Sequence, residues 1–172
     1  MGKQLLIEVS LISSVLVIVG LMWMALRHSA MTPLAIIQKL LTGLLAIFLI
    51  MAGTVKFFEP FNTMFTKQIA LSGLPLPEIA RWAGQLGEIS AGLGFLIVLT
   101  LSKVLTKSRI RKVFYCSSLL ALSIMIVAVY VHIIPEVTAE FLPLQSKPPI
   151  LTLIVMLLIG LNVWIFRKFK YK

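Results

Sequence analysis

The sequence holds a single cysteine, Cys116. One thiol closes no internal disulfide and makes no Cys-x-x-Cys redox pair. Redox chemistry in this chain therefore needs a bound cofactor, a partner or an intermolecular thiol. Histidine is nearly as scarce, with His28 and His132 alone. There is no His-Glu-x-x-His helix, no pair of histidines at haem-ligand spacing and no cysteine cluster, so no metal site is expected. P-loop and dinucleotide fingerprints are absent too. Acid is sparse, with 6 glutamates and aspartates against 16 lysines and arginines, for a net charge of +10.

That charge does not point to nucleic acid. A nucleic-acid binder places its basic residues on one face of a polar domain. Here they fall between and after apolar runs. Of the 172 residues, 59% are apolar, and mean hydropathy is +1.03. Ordinary globular domains are about 45–50% apolar. The surplus lies in long continuous runs rather than in alternation, so the runs read as membrane-spanning helices. The expected fold class is all-α, a polytopic membrane helical bundle whose main environment is the lipid bilayer.

Five spans are expected: Leu5 to Leu26, Leu34 to Phe58, Ile79 to Leu101, Val113 to Ile134 and Ile150 to Phe166. Thr32-Pro33 opens the second, Pro135 closes the fourth and Pro148-Pro149 precedes the fifth. The first run resembles a signal peptide in its early lysine and in His28-Ser29-Ala30. Its hydrophobic stretch is too long for one, however, and Glu8 interrupts its start, so a retained helix is expected. The segment after Glu59 mixes Phe61, Met64, Phe65 and Ile69 with Asn62, Lys67 and Gln68. It predicts a short amphipathic stretch that lies on the membrane or caps the bundle.

Orientation follows from Lys and Arg. Lys103, Lys107, Arg109, Arg111 and Lys112 lie in the loop after the third span, and Arg167, Lys168, Lys170 and Lys172 in the tail. All share one side with Arg27, which the positive-inside rule makes cytoplasmic. The expected location is the plasma (inner) membrane, N-terminus outside and C-terminus cytoplasmic. The acids, Glu8, Glu59, Glu78, Glu88, Glu136 and Glu140, fall on the outer side or in the outer half of a span.

An ionisable group within a span costs a few kcal/mol and is by default a functional candidate. Glu88 is the clearest. It lies roughly 13 Å along the third span from Ile79, at 1.5 Å per residue. Gly84, Gly87 and Gly92 surround it with small residues, which let another backbone come close, and Gly53 does the same on the second span. Lys56, near the outer end of that antiparallel neighbour, either pairs with Glu88 or snorkels to the interface. His132 is either an interfacial histidine bonded to a loop or a proton-handling group near Glu88. Arg81, Gln85 and Glu59 are candidates for the same outer cavity, although Arg81 could simply pair with Glu78. Asn162 reads as interhelical glue, and Cys116 as a small packed hydrophobe. Convergence of Lys56, Glu88 and His132 from three helices predicts a polar pocket in the outer half. A quinone headgroup or a purely structural network would account for it equally.

The order Leu40-Leu41-Thr42-Gly43-Leu44, Ala52-Gly53-Thr54-Val55-Lys56-Phe57, Gly73-Leu74-Pro75 and Gly87-Glu88-Ile89-Ser90-Ala91-Gly92-Leu93 resembles the DoxX-like family of small bacterial membrane proteins. The likeness runs from about Leu34 to Phe166. It implies a four-helix DoxX-like membrane domain over 34–172, both ends cytoplasmic. Residues 1–33 then add one extra N-terminal transmembrane helix and a short cytoplasmic turn. The family includes the membrane subunit of a thiosulfate:quinone oxidoreductase and proteins linked to oxidative-stress complexes. By that resemblance Lys56 and Glu88 fall on its charged positions. The resemblance implies a redox-associated subunit binding a quinone or similar lipid-soluble molecule, with a soluble or membrane partner subunit. The alternative is a non-catalytic carrier, assembly factor or scaffold, whose basic Lys103–Lys112 loop binds anionic lipid or an acidic partner.

Overall fold

The computed structural model describes residues 3–168, so Lys170 and Lys172 lie outside the described residues. The elements run α1 (Lys3–Leu26), α2 (Pro33–Val55), α3 (Phe61–Leu71), α4 (Pro77–Thr100), α5 (Lys107–Ile133), two 3-10 turns at Ala139–Phe141 and Pro143–Gln145, and α6 (Ile150–Lys168). Five of these helices, all but α3, are long and apolar enough to cross a membrane. The chain is a multi-pass helical membrane protein, embedded in a lipid bilayer. Leu16, Val17, Leu119 and Leu157 are each more than half exposed, which in lipid is the satisfied state for an apolar side chain.

The helix ends follow local chemistry more closely than hydropathy. The Thr32 hydroxyl accepts from the Ala35 amide at 3.4 Å, with Pro33 in the first turn. The Thr106 hydroxyl does the same for Arg109 at 3.4 Å. Each cap satisfies one of the free N–H groups of a first turn. As a result α5 begins at Lys107 rather than Val113, and most of the expected basic loop is helix. Lysine and arginine are good helix formers, so a span can extend past the apolar run through them. At its other end α2 stops at Val55 rather than Phe58. Phe57 turns back to the Thr54 carbonyl at 3.1 Å, and Lys56 becomes the C-cap.

Neighbouring spans run antiparallel. Gly53 and Gly92 form the seam between α2 and α4. A Cβ at Gly53 would stand 2.8 Å from the Gln85 carbonyl oxygen, and one at Gly92 2.8 Å from that of Ala46. Backbone cannot yield as a side-chain tip can, so this close approach requires glycine. The other two glycines face different neighbours. Gly87 meets Ile124 of α5, and Gly84 meets Phe65 of α3. The small-residue patch thus serves three interfaces rather than one.

At the far end of the bundle the core is aromatic. Phe114 of α5 and Phe166 of α6 stack with centroids 3.7 Å apart, and Phe95 of α4 packs edge-on to Phe114 at 5.9 Å. Nearby the Thr42 hydroxyl donates to Asn162 Oδ1 at 3.2 Å, tying α2 to α6. Asn162 is fully buried, and the bond is the interhelical glue its position suggests. Cys116 differs from expectation. It is exposed on α5, because Phe114, Ser117 and Ser118 occupy the inward face of that turn.

α1 lies outermost, packed on α2, with Met22 against Gly43. α3 caps the bundle at the end where α2 stops and α4 starts, burying Met64, Gln68 and Ile69. The Gln68 amide donates to the Phe141 carbonyl and fastens this cap to the 3-10 turns. All six acidic residues fall at the capped end or in the half of a span nearest it. The basic turns of α5 and the Arg167-Lys168 end of α6 lie at the opposite end.

Candidate functional site

Beneath the α3 cap lies a partly open cavity of about 530 Å³. Ligand sites commonly measure about 300–1,000 Å³, with apolar walls and a few converging polar groups. Every helix reaches this one. Phe48, Met51 and Val55 come from α2, Leu120 and Ile124 from α5, Val155 from α6. The polar groups on these walls are few: Lys56, Glu88, His132, Glu8, Gln68 and Thr152 among them.

Lys56 and Glu88 are in direct contact. Lys56 Nζ lies 2.6 Å from Glu88 Oε2. The helix architecture explains the meeting. Gly53 lets α4 approach within backbone contact, and the C-terminal cap of α2 then swings the lysine stem across that seam. Two further features favour an ammonium here. The Phe65 ring centroid is 4.4 Å away, a cation–π distance, and the C-terminal end of a helix carries partial negative charge. Glu88 is only 5% exposed, so its carboxylate depends on this partner.

His132 is buried as well, at the end of α5. Its Nδ1 lies 3.4 Å from the Thr152 hydroxyl of α6. Its neighbour is therefore a helix, not the loop that was one expectation. Lys56, Glu88 and His132 do line one cavity.

Two other candidates do not. Arg81 turns away from the cavity. Its guanidinium bonds Glu78 at 3.2 Å and Asn62 at 3.4 Å and lies over the Trp82 ring. Gln85 is buried against the α2 seam, with no partner for its Oε1 among the described residues. Neither lines the cavity, although spacing puts both on the side of α4 that carries Glu88. Glu59 faces a separate, shallower hollow with Lys67 and Glu140.

Glu8 is the residue sequence reasoning missed. It was read as an interruption near the start of a span. It is 9% exposed and lines the cavity from α1. Its Oε2 accepts from the Leu144 amide at 2.8 Å and its Oε1 from the Gln4 side chain at 3.0 Å. The signal was present: an acid within an apolar run is as much a candidate there as at Glu88. Among the described residues no group of histidine, cysteine and acid could hold a metal ion.

Comparison with known proteins finds no family model, no curated protein and no solved structure that matches this chain.

Proposed function

We propose that this chain is a DoxX-like, redox-associated membrane subunit that holds a quinone or a similar lipid-soluble molecule in the cavity under α3. The observation that carries the reading is the Lys56–Glu88 pair on the wall of a mostly apolar cavity. A buried ion pair seldom stabilises a fold better than apolar residues of the same volume. Gly53 and Gly92 already join α2 to α4 without it. The pair therefore makes more sense as the polar end of a ligand site than as a fastener. An apolar ring and tail fill such a volume, and ring carbonyls accept hydrogen bonds from Lys56. Glu88 and His132 handle protons at a bound headgroup, with Lys56 as the counter-charge beside Glu88.

Electrons come from a partner subunit, soluble or membrane-bound. In the orientation we infer, the cavity opens near the outer leaflet of the plasma (inner) membrane, the N-terminus is outside and the basic turns of α5 are cytoplasmic. Extraction of the gently purified full chain, with analysis of its lipids by mass spectrometry, tests the reading. A stoichiometric quinone supports it. Absence of quinone, together with unchanged quinone reduction in membranes from a deletion strain, refutes it.

A second reading is a non-catalytic carrier, assembly factor or scaffold. The exposed Arg109, Arg111 and Lys112 at the end of the bundle opposite the cavity favour it, since such a surface fits an acidic partner or anionic lipid. Turnover of a redox substrate by the purified chain alone excludes this reading. A specific partner retained from native membranes, with no quinone present, selects it.

A further inference from the structure

The cavity wall carries two carboxyl groups, Glu8 and Glu88, against one lysine, Lys56, and the imidazole of His132. Glu88 is matched by Lys56 at 2.6 Å. Glu8 enters the same space from α1, and the groups that bond it, the Leu144 amide and the Gln4 side chain, are uncharged. Among the described residues Lys56 is the sole lysine or arginine on the cavity wall. Three further cations of this end, among the residues whose side chains are described, are held elsewhere. Lys147 donates to the Ile134 and Val137 carbonyls at 2.6 and 3.0 Å. Lys67 lies over the Phe141 ring and faces the shallow hollow. Arg81 is paired with Glu78.

With both carboxylates ionised and the His132 imidazole uncharged, the cavity holds two negative charges against one positive. Charges interact far more strongly in a low-dielectric wall than in water, and an uncompensated buried charge is costly. A guest that brings an ammonium or a donor hydroxyl to Glu8 relieves that cost. A guest that brings a carboxylate adds to it.

We propose that Glu8 is a specificity-determining residue, which makes the cavity a site for amphiphiles with a cationic or hydrogen-bond-donating head and excludes anionic ones. This rests on the cavity being a ligand site. It adds that α1, outside the four-helix core, supplies the group that selects the head. A hydroquinone, which donates two hydroxyls, fits this rule better than a fatty acid of similar size.

The test uses the full chain in phosphatidylcholine nanodiscs and three probes of equal chain length: dodecylamine, dodecanol and dodecanoate. Calorimetric titration is corrected with empty nanodiscs. The expected order is amine, then alcohol, then acid, with amine over acid by about tenfold or more, the scale of one modest charge contact. Glu8→Gln keeps an acceptor for the Leu144 amide and should bring amine and acid within about threefold of each other, with alcohol binding unchanged. Glu140→Gln, an exposed acid outside the cavity, should keep the wild-type preference. Wild-type protein that binds acid as tightly as amine overturns the proposal, whether or not Glu8→Gln folds. So does a folded Glu8→Gln variant that still discriminates. If alcohol binds without any charge preference, the cavity reading survives and the role of Glu8 does not. If no probe binds, the cavity reading itself is what fails.

Discussion

Lys56 and Glu88 stand 32 residues apart in the chain and meet at 2.6 Å across the α2–α4 seam. The lysine side chain is 20% exposed and the glutamate 6%. Removing either charge strands the other in a medium that solvates it poorly.

Lys56→Met and Glu88→Gln, made singly, should therefore each destabilise the protein markedly, toward the about 3–5 kcal/mol typical of a broken buried pair. The double variant should recover much of that loss. Unfolding of the four proteins in one detergent closes the cycle. Additive single effects would show that no coupling exists. Glu140→Gln should change stability by no more than about 0.5 kcal/mol.

Gly53→Ala and Gly92→Ala should each force α2 from α4, since the new methyl meets backbone at 2.8 Å. Overpacking of this kind costs about 1–3 kcal/mol. Gly160→Ala, with nothing within 4 Å of the added carbon, should be neutral or stabilising by up to about 1 kcal/mol. The same unfolding assay ranks the three.

Cys116 should report lipid. It lies on the outward face of α5, roughly 13 Å along the helix from Lys107 at 1.5 Å per residue. A nitroxide attached there should collide with oxygen far more often than with a water-soluble nickel chelate. The reverse ratio would place this turn of α5 outside the hydrocarbon.

Thr42→Ala and Asn162→Ala should be coupled, because the hydroxyl donates to the amide oxygen at 3.2 Å. Interhelical hydrogen bonds in membranes contribute about 0.6 kcal/mol on average and up to about 1.7. A double-mutant cycle should return a coupling in that range, and a value near zero would reduce the contact to packing.

The class of the fold was readable from hydropathy alone, because a run of about 20 apolar residues has few other uses. Depth was readable as well. Lys56 and His132 lie at the ends of their helices and Glu88 about eleven residues into α4, yet all three fall in the half nearest the α3 cap and line one cavity. What a single sequence lacks is the rotation of each helix about its axis. Arg81 and Gln85 share the face of Glu88 by spacing, yet Arg81 bonds Asn62 and Glu78, and Gln85 is buried where its backbone meets Gly53. Glu8 was lost for the opposite reason. Packing of α1 on α2 and the bond of Glu8 to the Pro143–Gln145 turn bring it to the cavity, and no periodicity within α1 announces a partner so distant in the chain. The start of α5 shows a third gap. Hydropathy marks where a helix enters lipid, not where its hydrogen bonding begins.

The account rests on the cavity holding a guest, and photolabelling tests that most directly. A quinone analogue with a photoreactive group on its ring, irradiated with the full chain in nanodiscs and mapped by peptide mass spectrometry, should attach to cavity-lining positions such as Met51, Phe65 and Ile124. Ala128→Trp, which fills part of the same space, should abolish those adducts. Adducts confined to outward residues such as Leu16 and Leu157, unaffected by Ala128→Trp, would contradict it.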